Sequence, residues 1–465
     1  MAGKREKNAA GSSNALRGDV LRVLGVLKVA TADQLQRLAL PHLTYRHTDK
    51  KTAAKRKEAR TASHRGALND LRTHGLALDG GHTKAAEAVR ILTPAGVEAA
   101  SLELGRVMDE MGGIPRGAGS TGASHAMTVN ETVIAMIRPK PDLTKLTQEP
   151  ADAIAAAQRA VAGPAGIGQV ASYATEVPLP ATGTWSKAGK GGAQADVVLV
   201  APEAGVPLLF IEVDNCFEVA ATIAAKFDKY MRFYRRTVKD TDGREKAMWR
   251  TRWSAPPGRY GDVPHPPVLL VFHQAGPRPA AGQINQVAAL TRQHWQGEWD
   301  TDGGHHIYDG KIPIVATTLD LLREHGPTGP AFHRFGRNSR QCLLDAIGNP
   351  RREAADTRRH EAHQASTAAY KAEQQRLADE KAREREAGRP VCTSCGRKFT
   401  DDRWADVEAA SRWEGPRWHP TLCEACEDQA IEAEEQSAEI ERQREAEVTK
   451  DEQKAGGRWR SRFRT

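Results

Sequence analysis

The sequence predicts a multidomain α/β protein, and three observations lead to that prediction. Short apolar runs alternate with helical patterns in the centre of the chain. A basic helical segment and a β-hairpin pattern precede them, and two Cys-x-x-Cys pairs follow them. At 465 residues the chain is too long for one compact core, so two or three domains are expected.

The charge balance favours a nucleic-acid partner. The chain has 67 Lys and Arg residues against 59 Asp and Glu residues, a formal net charge of +8. Clustered basic residues gain free energy by releasing counterions from phosphates, although a plain soluble basic protein is the simpler interpretation. The polar N-terminus lacks the apolar core of a signal peptide, and no run approaches the roughly 18 apolar residues of a membrane helix. We therefore expect a cytoplasmic protein with no membrane partner.

Residues 14–104 are predicted to form a winged helix-turn-helix, after a disordered basic leader over residues 1–13. Two helical patterns are followed by Tyr45–Arg65, which contains eight Lys or Arg residues and two acids. This segment runs into the apolar face of a third helix, which ends at Gly75, and two short strands around a Gly-rich turn follow. In a winged helix-turn-helix the third helix lies in the major groove of DNA.

Double-stranded DNA is therefore the expected partner of this domain. The side chains expected to read bases are Arg60, Thr61, His64, Arg65, Asn69 and Arg72. Arg56 and Lys57 are expected at phosphates, and Lys84 on the wing. Two alternatives remain, a basic helix that is only a solvated surface and a winged helix that binds protein.

A Gly-rich linker over residues 105–124 is predicted to lead into an α/β domain with a mixed sheet over residues 125–330. Helical patterns alternate there with apolar runs of the buried-strand type. The expected strands are Gln169–Leu179, Val197–Val200, Leu208–Val213, Pro267–His273 and Ile312–Thr317.

Carboxylates mark the ends of the second and third strands. Asp196 begins one strand and Glu212 lies near the end of the next. If the two strands form an antiparallel hairpin, the carboxylates meet at one edge of the sheet, and two carboxylates with water suit Mg²⁺. A metal-activated water could then cut a phosphodiester, provided that a cation stands near the developing charge. Lys226, on the following helix, is the candidate cation.

Three further acids belong to this hypothesis. Asp214 follows Glu212 by two residues and could be a third metal ligand. Glu131 and Glu176 are candidates for an additional carboxylate. The alternative is that Asp196, Glu212 and Asp214 are merely solubilising acids at strand ends.

Tyr230 and Tyr234 offer a different chemistry. They are four residues apart, on one face of a helix. Tyrosine pairs at this spacing act as nucleophiles in some relaxases, but those enzymes also need a His-apolar-His metal strand, which this sequence lacks. We therefore predict that both tyrosines are core aromatics, and keep a tyrosine-linked relaxase as a further alternative.

The C-terminal region is predicted to contain a charged helical spacer over residues 350–390 and a zinc module over residues 391–430. A polar helix and a basic tail over residues 431–465 complete the chain. Two Cys-x-x-Cys pairs can supply the four thiolates of a tetrahedral structural Zn²⁺ site, which leaves no open position for catalysis. The four ligands are Cys392, Cys395, Cys423 and Cys426.

Residues from about 15 to 240 resemble the replication-relaxation family of plasmid-type proteins, and the strand-and-acid order resembles the PD-(D/E)xK nuclease-like fold. The segments that carry the resemblance are the N-terminal winged helix, HAMTVNETVIAMI, ADVVLV, LFIEVDN and KFDKYMRFY. The resemblance implies a DNA-binding protein of plasmid or mobile-element replication or relaxation, with replication or transfer proteins as partners. It also implies Mg²⁺-dependent DNA nicking, or a non-catalytic regulator on a degenerate nuclease-like scaffold. Asp214 stands where the nuclease motif has lysine, so the positive charge would have to come from Lys226.

Overall fold

The structure, a computed structural model, divides into two units, Met1–Asp356 and Thr357–Thr465. Most of the predicted leader and the centre of the predicted linker lie outside the described residues, as do residues 411–417 of the predicted zinc module and the end of the basic tail. The structure describes residues 12–114, 123–240, 242–255, 264–410 and 418–460.

The N-terminal part of the first unit combines helices with a small antiparallel sheet. Its elements are α1 (Asn14–Leu27), β1 (Val29–Thr31), α2 (Ala32–Ala39), α3 (Ala53–Arg60), α4 (Ala62–Thr73), β2 (Ala77–His82), β3 (Ala88–Leu92) and α5 (Pro94–Leu104). The strand order is β1-β3-β2. Helix α2 starts with a capping box, in which the Thr31 and Gln34 side chains bind each other's backbone N–H.

The basic segment differs from the prediction, because it forms two helices instead of one. The break falls at Thr61, whose hydroxyl donates to the carbonyl of Lys57 at 2.8 Å. Helix α3 buries none of its residues, whereas α4 buries Ala67, Leu68 and Leu71 against the core. Strand β1 was not predicted, since three residues carry no periodic signal.

The second part of the same unit surrounds a larger sheet. Its helices are α6 (Ala123–Ile137), α7 (Ala151–Ala162), α8 (Ala220–Arg235), α9 (Ala280–Leu290), α10 (Arg292–Trp295), α11 (Leu319–His325) and α12 (Leu343–Ile347). Its strands are β4 (Ser172–Leu179), β5 (Ala193–Ala201), β6 (Val206–Asp214), β7 (Thr237–Lys239), β8 (Glu245–Ala247), β9 (Val268–Phe272), β10 (Glu298–Asp300), β11 (His305–Ile307), β12 (Ile314–Thr318), β13 (Phe332–Arg334) and β14 (Arg340–Gln341).

The large sheet is mixed, as predicted. Its strand order is β14-β13-β12-β9-β6-β5-β4. Strands β6, β9 and β12 run parallel to one another, and the pairs on either side of them are antiparallel. The parallel strands are buried on both faces, which explains why they are continuous apolar runs in the sequence.

The two faces of the large sheet have different cores. One face carries α8 and α9 and is rich in aromatic residues, among them Phe227, Tyr230 and Phe233. The other face shares one apolar cluster with the N-terminal helices, so Leu24 and Leu71 belong to the same core as β6. The N-terminal region is therefore packed onto the sheet and not merely tethered to it.

The second unit contains most of α13 (Pro350–Ala387), together with α14 (Asp401–Ala409) and α15 (Glu424–Arg460). Helix α13 is exposed along almost its whole length, as expected for a charged helix without an apolar seam. A small core around Cys392, Phe399 and Trp404 lies in the predicted zinc module. Within the described residues, no helix is both long and apolar enough to cross a membrane.

Candidate functional site

The β5–β6 hairpin sets two carboxylates opposite each other. Val197 pairs with Ile211, and the next position along each strand is Asp196 and Glu212. Both residues are buried, at 8% and 3% exposure. A pair of acids this deeply buried is costly unless every oxygen has a partner, so the contacts of each oxygen decide what the site can do.

Asp196 is held in place by the backbone and by a histidine. Its Oδ2 accepts the backbone N–H of Val213 on the neighbouring strand β6 at 2.7 Å. Its Oδ1 lies 3.1 Å from His125 Nε2, near the start of α6. Burial disfavours the charged form of His125, but the hydrogen bond and charge of Asp196 outweigh burial and raise the pKa of His125.

Glu212 contacts Lys226, the cation that the sequence predicted for this site. Its Oε2 accepts from Lys226 Nζ at 3.2 Å, and its Oε1 accepts from the Tyr230 hydroxyl at 2.7 Å. Burial raises the pKa of Glu212 to about 7, and the charge of Asp196 adds to the rise against the opposing charge of Lys226. A strongly perturbed carboxylate beside a lysine is typical of functional sites, although structural ion pairs can produce the same effect.

Asp214 lies just beyond the pair and has a local role. Its Oδ2 accepts the backbone N–H of Cys216 at 2.8 Å, which fixes the turn after β6. Burial raises the pKa of Asp214, and the Lys226 charge lowers it in part. Lys226 therefore lies within electrostatic range of Glu212 and Asp214, which occupy alternate positions of one strand.

The two further carboxylates are separated. Glu176 on β4 is close enough to Asp196 that the Asp196 charge, after burial, raises the pKa of Glu176. Its φ angle is 55°, which is rare outside glycine, and its carbonyl accepts the N–H of Gly113 at 2.9 Å. Glu131 instead binds Arg37 and Arg323. Glu131 therefore belongs to an ion-pair network with residues of α2 and α11.

The two tyrosines of α8 are core residues, which confirms that prediction. Tyr230 and Tyr234 are 0% and 2% exposed, and their rings lie 5.8 Å apart. Burial raises the pKa of both hydroxyls well above the ordinary value. A buried phenol with a raised pKa is a poor nucleophile, and we do not pursue the tyrosine-linked relaxase.

The residues predicted to contact DNA fall into three groups. Lys57 and Arg60 form ion pairs with Asp33, and Lys57 also pairs with Glu87 of the β2–β3 turn. Thr61 and His64 are buried, and burial lowers the pKa of His64, so a direct base contact by His64 would require a different conformation. The exposed group consists of Arg56, Arg65, Asn69, Arg72 and Lys84.

A cleft of about 550 Å³ lies between this region and the large sheet. Residues of α2, the β2–β3 turn, α6 and the end of β9 line it, among them Lys84, Ser124 and His273. Ser124 adjoins His125, the partner of Asp196. The cleft thus extends from the β2–β3 turn to the start of α6, one residue before His125.

The four cysteines of the second unit converge on one point. They are the only group of three or more His, Cys, Asp or Glu side chains, among the described residues, close enough to share an ion. Cys395 Sγ and Cys423 Sγ lie 3.7 Å apart. Four sulfurs around Zn²⁺ at 2.3 Å would be about 3.8 Å from one another, so the spacing fits a tetrahedral site.

Sequence reasoning missed two contacts at the carboxylate pair. It did not place His125 beside Asp196 or the Tyr230 hydroxyl on Glu212. The His125–Asp196 contact joins residues 71 positions apart, and no local pattern encodes it. The Tyr230 contact follows from α8 folding back over β6, which the short connection between them could have suggested.

These features define an α/β protein with a mixed sheet, a buried carboxylate–lysine cluster and a four-cysteine site that could hold a metal ion. Residues 21–246 match the model of a family described as replication-relaxation, which supports the resemblance predicted from the sequence. No curated protein and no solved structure matches the chain.

Proposed function

We propose that this protein binds duplex DNA and nicks it during plasmid or mobile-element replication or relaxation. The observation that carries the proposal is the 3.2 Å contact between Lys226 Nζ and Glu212 Oε2. A PD-(D/E)xK-like hairpin would carry its lysine at the position that Asp214 occupies in this strand. Here Lys226, on the following helix, would supply that positive charge instead. The family match over residues 21–246 supports a role in replication or relaxation. The carboxylate–lysine cluster supports phosphodiester cleavage.

The N-terminal region would dock the duplex as a winged helix-turn-helix. The order of α2, α3, α4 and the β2–β3 hairpin supports this, as do the exposed Arg56, Arg65, Arg72 and Lys84. Each phosphate contact makes binding more salt-dependent. Arg65→Ala and Arg72→Ala should therefore weaken binding and flatten its salt dependence, measured by fluorescence anisotropy, whereas Arg340→Ala on the far edge of the large sheet should change neither.

Asp196 and Glu212 are the residues that would hold a divalent cation such as Mg²⁺. Their hard carboxylate oxygens suit that ion, and each oxygen keeps a second lone pair beyond the bond it accepts here. When bound, the ion would supply an activated water. Lys226 would stabilise the charge that develops on the phosphate, and His125 and Val213 would orient Asp196.

The test is a nicking assay on supercoiled plasmid with Mg²⁺ or Mn²⁺, with product topology resolved on a gel. Wild-type protein should convert supercoiled to open-circular DNA, and Asp196→Ala or Glu212→Ala should abolish the conversion. Glu203→Ala, an exposed acid in the turn of the same hairpin, is the matched control and should nick normally. Nicking that survives in Asp196→Ala and Glu212→Ala would disprove the assigned site.

A specific observation favours a second function, a non-catalytic DNA-binding regulator. All four carboxylate oxygens of Asp196 and Glu212 already accept or share a hydrogen bond with the protein itself. A site that is satisfied in this way can serve as a scaffold. Salt-sensitive DNA binding without any metal-dependent nicking would establish the regulator and exclude the nuclease.

We also propose that Cys392, Cys395, Cys423 and Cys426 bind a structural Zn²⁺ ion. A core of three buried side chains is too small to fold residues 391–430 alone, whereas zinc binding supplies folding free energy directly. Purified protein should contain one zinc per chain. Cys423→Ser should lose it and lose hydrogen-exchange protection over residues 391–430, while Cys342→Ser in the first unit should lose neither.

A further inference from the structure

Phe217 is an exposed aromatic residue in the turn that follows Asp214. It lies between β6 and α8 and is 57% exposed, and Val219 two positions later is 47% exposed. Every other phenylalanine that the structure describes is buried, at 2% or less. An isolated exposed apolar side chain is common on protein surfaces, so the exposure of Phe217 matters here only together with the rigid turn that carries it and the lysine nearby.

The segment that carries Phe217 is held rigidly. Each main-chain carbonyl from Asp214 to Glu218 accepts a hydrogen bond from residues 273–283. The bonds are His273 N to Asp214 O at 2.8 Å, Gly276 N to Asn215 O at 2.7 Å, Arg278 N to Cys216 O at 3.4 Å, Arg278 Nη1 to Phe217 O, and Gln283 Nε2 to Glu218 O at 2.5 Å. The exposure of the ring is thus a property of a fixed turn.

The turn contains a residue with an unfavourable backbone conformation. Cys216 has a φ angle of 62°, a left-handed conformation that is unfavourable for residues other than glycine. A Cβ atom on Gly276 would lie 2.3 Å from the Cys216 carbonyl oxygen, so only glycine allows this approach. Such strained and over-determined segments cluster at binding sites.

The turn also adjoins the proposed phosphate site. Glu218, next to Phe217, places its Oε2 3.7 Å from Lys226 Nζ, and Lys226 in turn binds Glu212. Arg278 binds the Phe217 carbonyl, and a guanidinium has five N–H donors in all. A DNA strand whose phosphate lies near Lys226 and Arg278 would bring an adjacent base to the ring.

We infer that Phe217 stacks on a nucleobase of DNA whose phosphodiester occupies the Asp196–Glu212–Lys226 cluster. This inference rests on the proposed function and deepens it, because it requires a base that is unstacked from its neighbours. Stacking suits an isolated exposed ring, since every base has a π face and no shaped pocket is needed. Lys226 and Arg278 offer positive charge to a nucleic-acid backbone, although Lys226 also pairs with the acids Glu212 and Glu218.

The experiment uses the full chain without divalent metal, so that binding is read apart from cleavage. The probe is a single-stranded oligonucleotide of mixed sequence that carries 5-iododeoxyuridine for photocrosslinking and 2-aminopurine for fluorescence. Crosslinked peptides are mapped by mass spectrometry. The variants are Phe217→Leu and Phe217→Trp, with Trp299→Leu as a control, because Trp299 is a comparably exposed aromatic on the β10–β11 hairpin.

We expect a crosslink at Phe217 and quenching of 2-aminopurine. Phe217→Leu should weaken binding about tenfold and lose the quenching, in line with the measured contribution of one base–aromatic stack. Phe217→Trp should bind at least as tightly as wild type, and Trp299→Leu should bind normally. Because Phe217 is exposed, its variants should keep the wild-type melting temperature.

Two results would overturn the inference. One is Phe217→Leu binding as tightly as wild type, with no crosslink at position 217. The other is an equal loss of binding affinity in Phe217→Leu and Trp299→Leu, which would indicate nonspecific binding to exposed aromatic residues. Nicking is scored separately, so a Phe217 crosslink in a protein that never nicks would refute the nuclease while keeping the stacking site.

Discussion

Glu131 and Glu212 are two glutamates that each contact a cationic side chain, the first half-buried and the second buried, yet their pKa values move in opposite directions. Burial would raise the pKa of Glu131, but Arg37, with Gln34 and Arg323, lowers it to about 2. Burial raises the pKa of Glu212 to about 7, with the charge of Asp196 adding to the rise. Glu131 receives hydrogen bonds from two guanidinium groups, and its side chain is 21% exposed.

The opposite pKa shifts distinguish two kinds of carboxylate. The charged form of Glu131 stabilises the fold, whereas the charged form of Glu212 is destabilising and is kept in place by the rest of the structure. At neutral pH Glu131 is charged and satisfied, and it joins α2 to α6 and α11. Glu212 has one lysine and one phenol and shares its surroundings with a second acid, so its charged form is costly. A carboxylate of the second kind gains most from a new cation, whether a metal ion or another ligand.

Removal of the lysine should have the largest effect. Lys226→Met would leave the Glu212 carboxylate buried with only the Tyr230 hydroxyl, and breaking a buried pair costs about 3 kcal/mol. The loss should be greatest at pH 8 and smaller at pH 5, where Glu212 can take up a proton. Urea unfolding at both pH values measures it, and an equal loss at both would show that Lys226 acts by packing alone.

Removal of the Glu131 charge should have an intermediate effect. Glu131→Gln should lower the free energy of unfolding by about 2 kcal/mol at pH 7, because two arginines lose a shared partner. The folded-state pKa lies below the ordinary 4.5, so this stability exists above pH 4.5 and is lost as pH falls toward 2. Urea unfolding between pH 3 and pH 7 should therefore show the mutant and the wild type converging at low pH.

Neutralising Glu212 should have the smallest effect. Glu212→Gln should alter the free energy of unfolding by about 1 kcal/mol or less at pH 5, because Glu212 is largely protonated there and glutamine resembles the neutral acid. Between pH 4.5 and about 7 the folded wild type binds more protons at Glu212 than the unfolded chain. The stability of the wild type relative to the mutant should thus fall as pH rises through that window, which is opposite to the trend for Glu131.

Much of the large sheet could be predicted from the sequence, because buried strands are apolar runs. Strands β5, β6, β9 and β12 each contain such a run, and the short turn between β5 and β6 fixes their antiparallel pairing. Strand β1 could not be predicted, because it exists only through its pairing of Val29 with Ile91. Its three residues satisfy partners that are distant in sequence.

The carboxylate pair was predictable in the same way, but its surroundings were not. Asp196 and Glu212 become neighbours through hairpin register, which local pattern specifies. His125 reaches Asp196, and Arg323 reaches Glu131, only because α6 and α11 pack on the sheet. The division of the basic segment at Thr61 was also missed, since exposed helices carry no apolar period to show where they end.

The family match ends at residue 246, whereas the large sheet includes strands from later in the chain. Strands β9, β12, β13 and β14 lie beyond that residue, and β9 covers the side of β6 that β5 leaves open. A chain shortened to the matched segment would present the backbone of Phe210–Asp214 as a long apolar edge and would lose Arg323 from Glu131. Such edges pair with other chains, so the shortened protein should precipitate on expression, whereas a chain that ends after α12 should remain in solution.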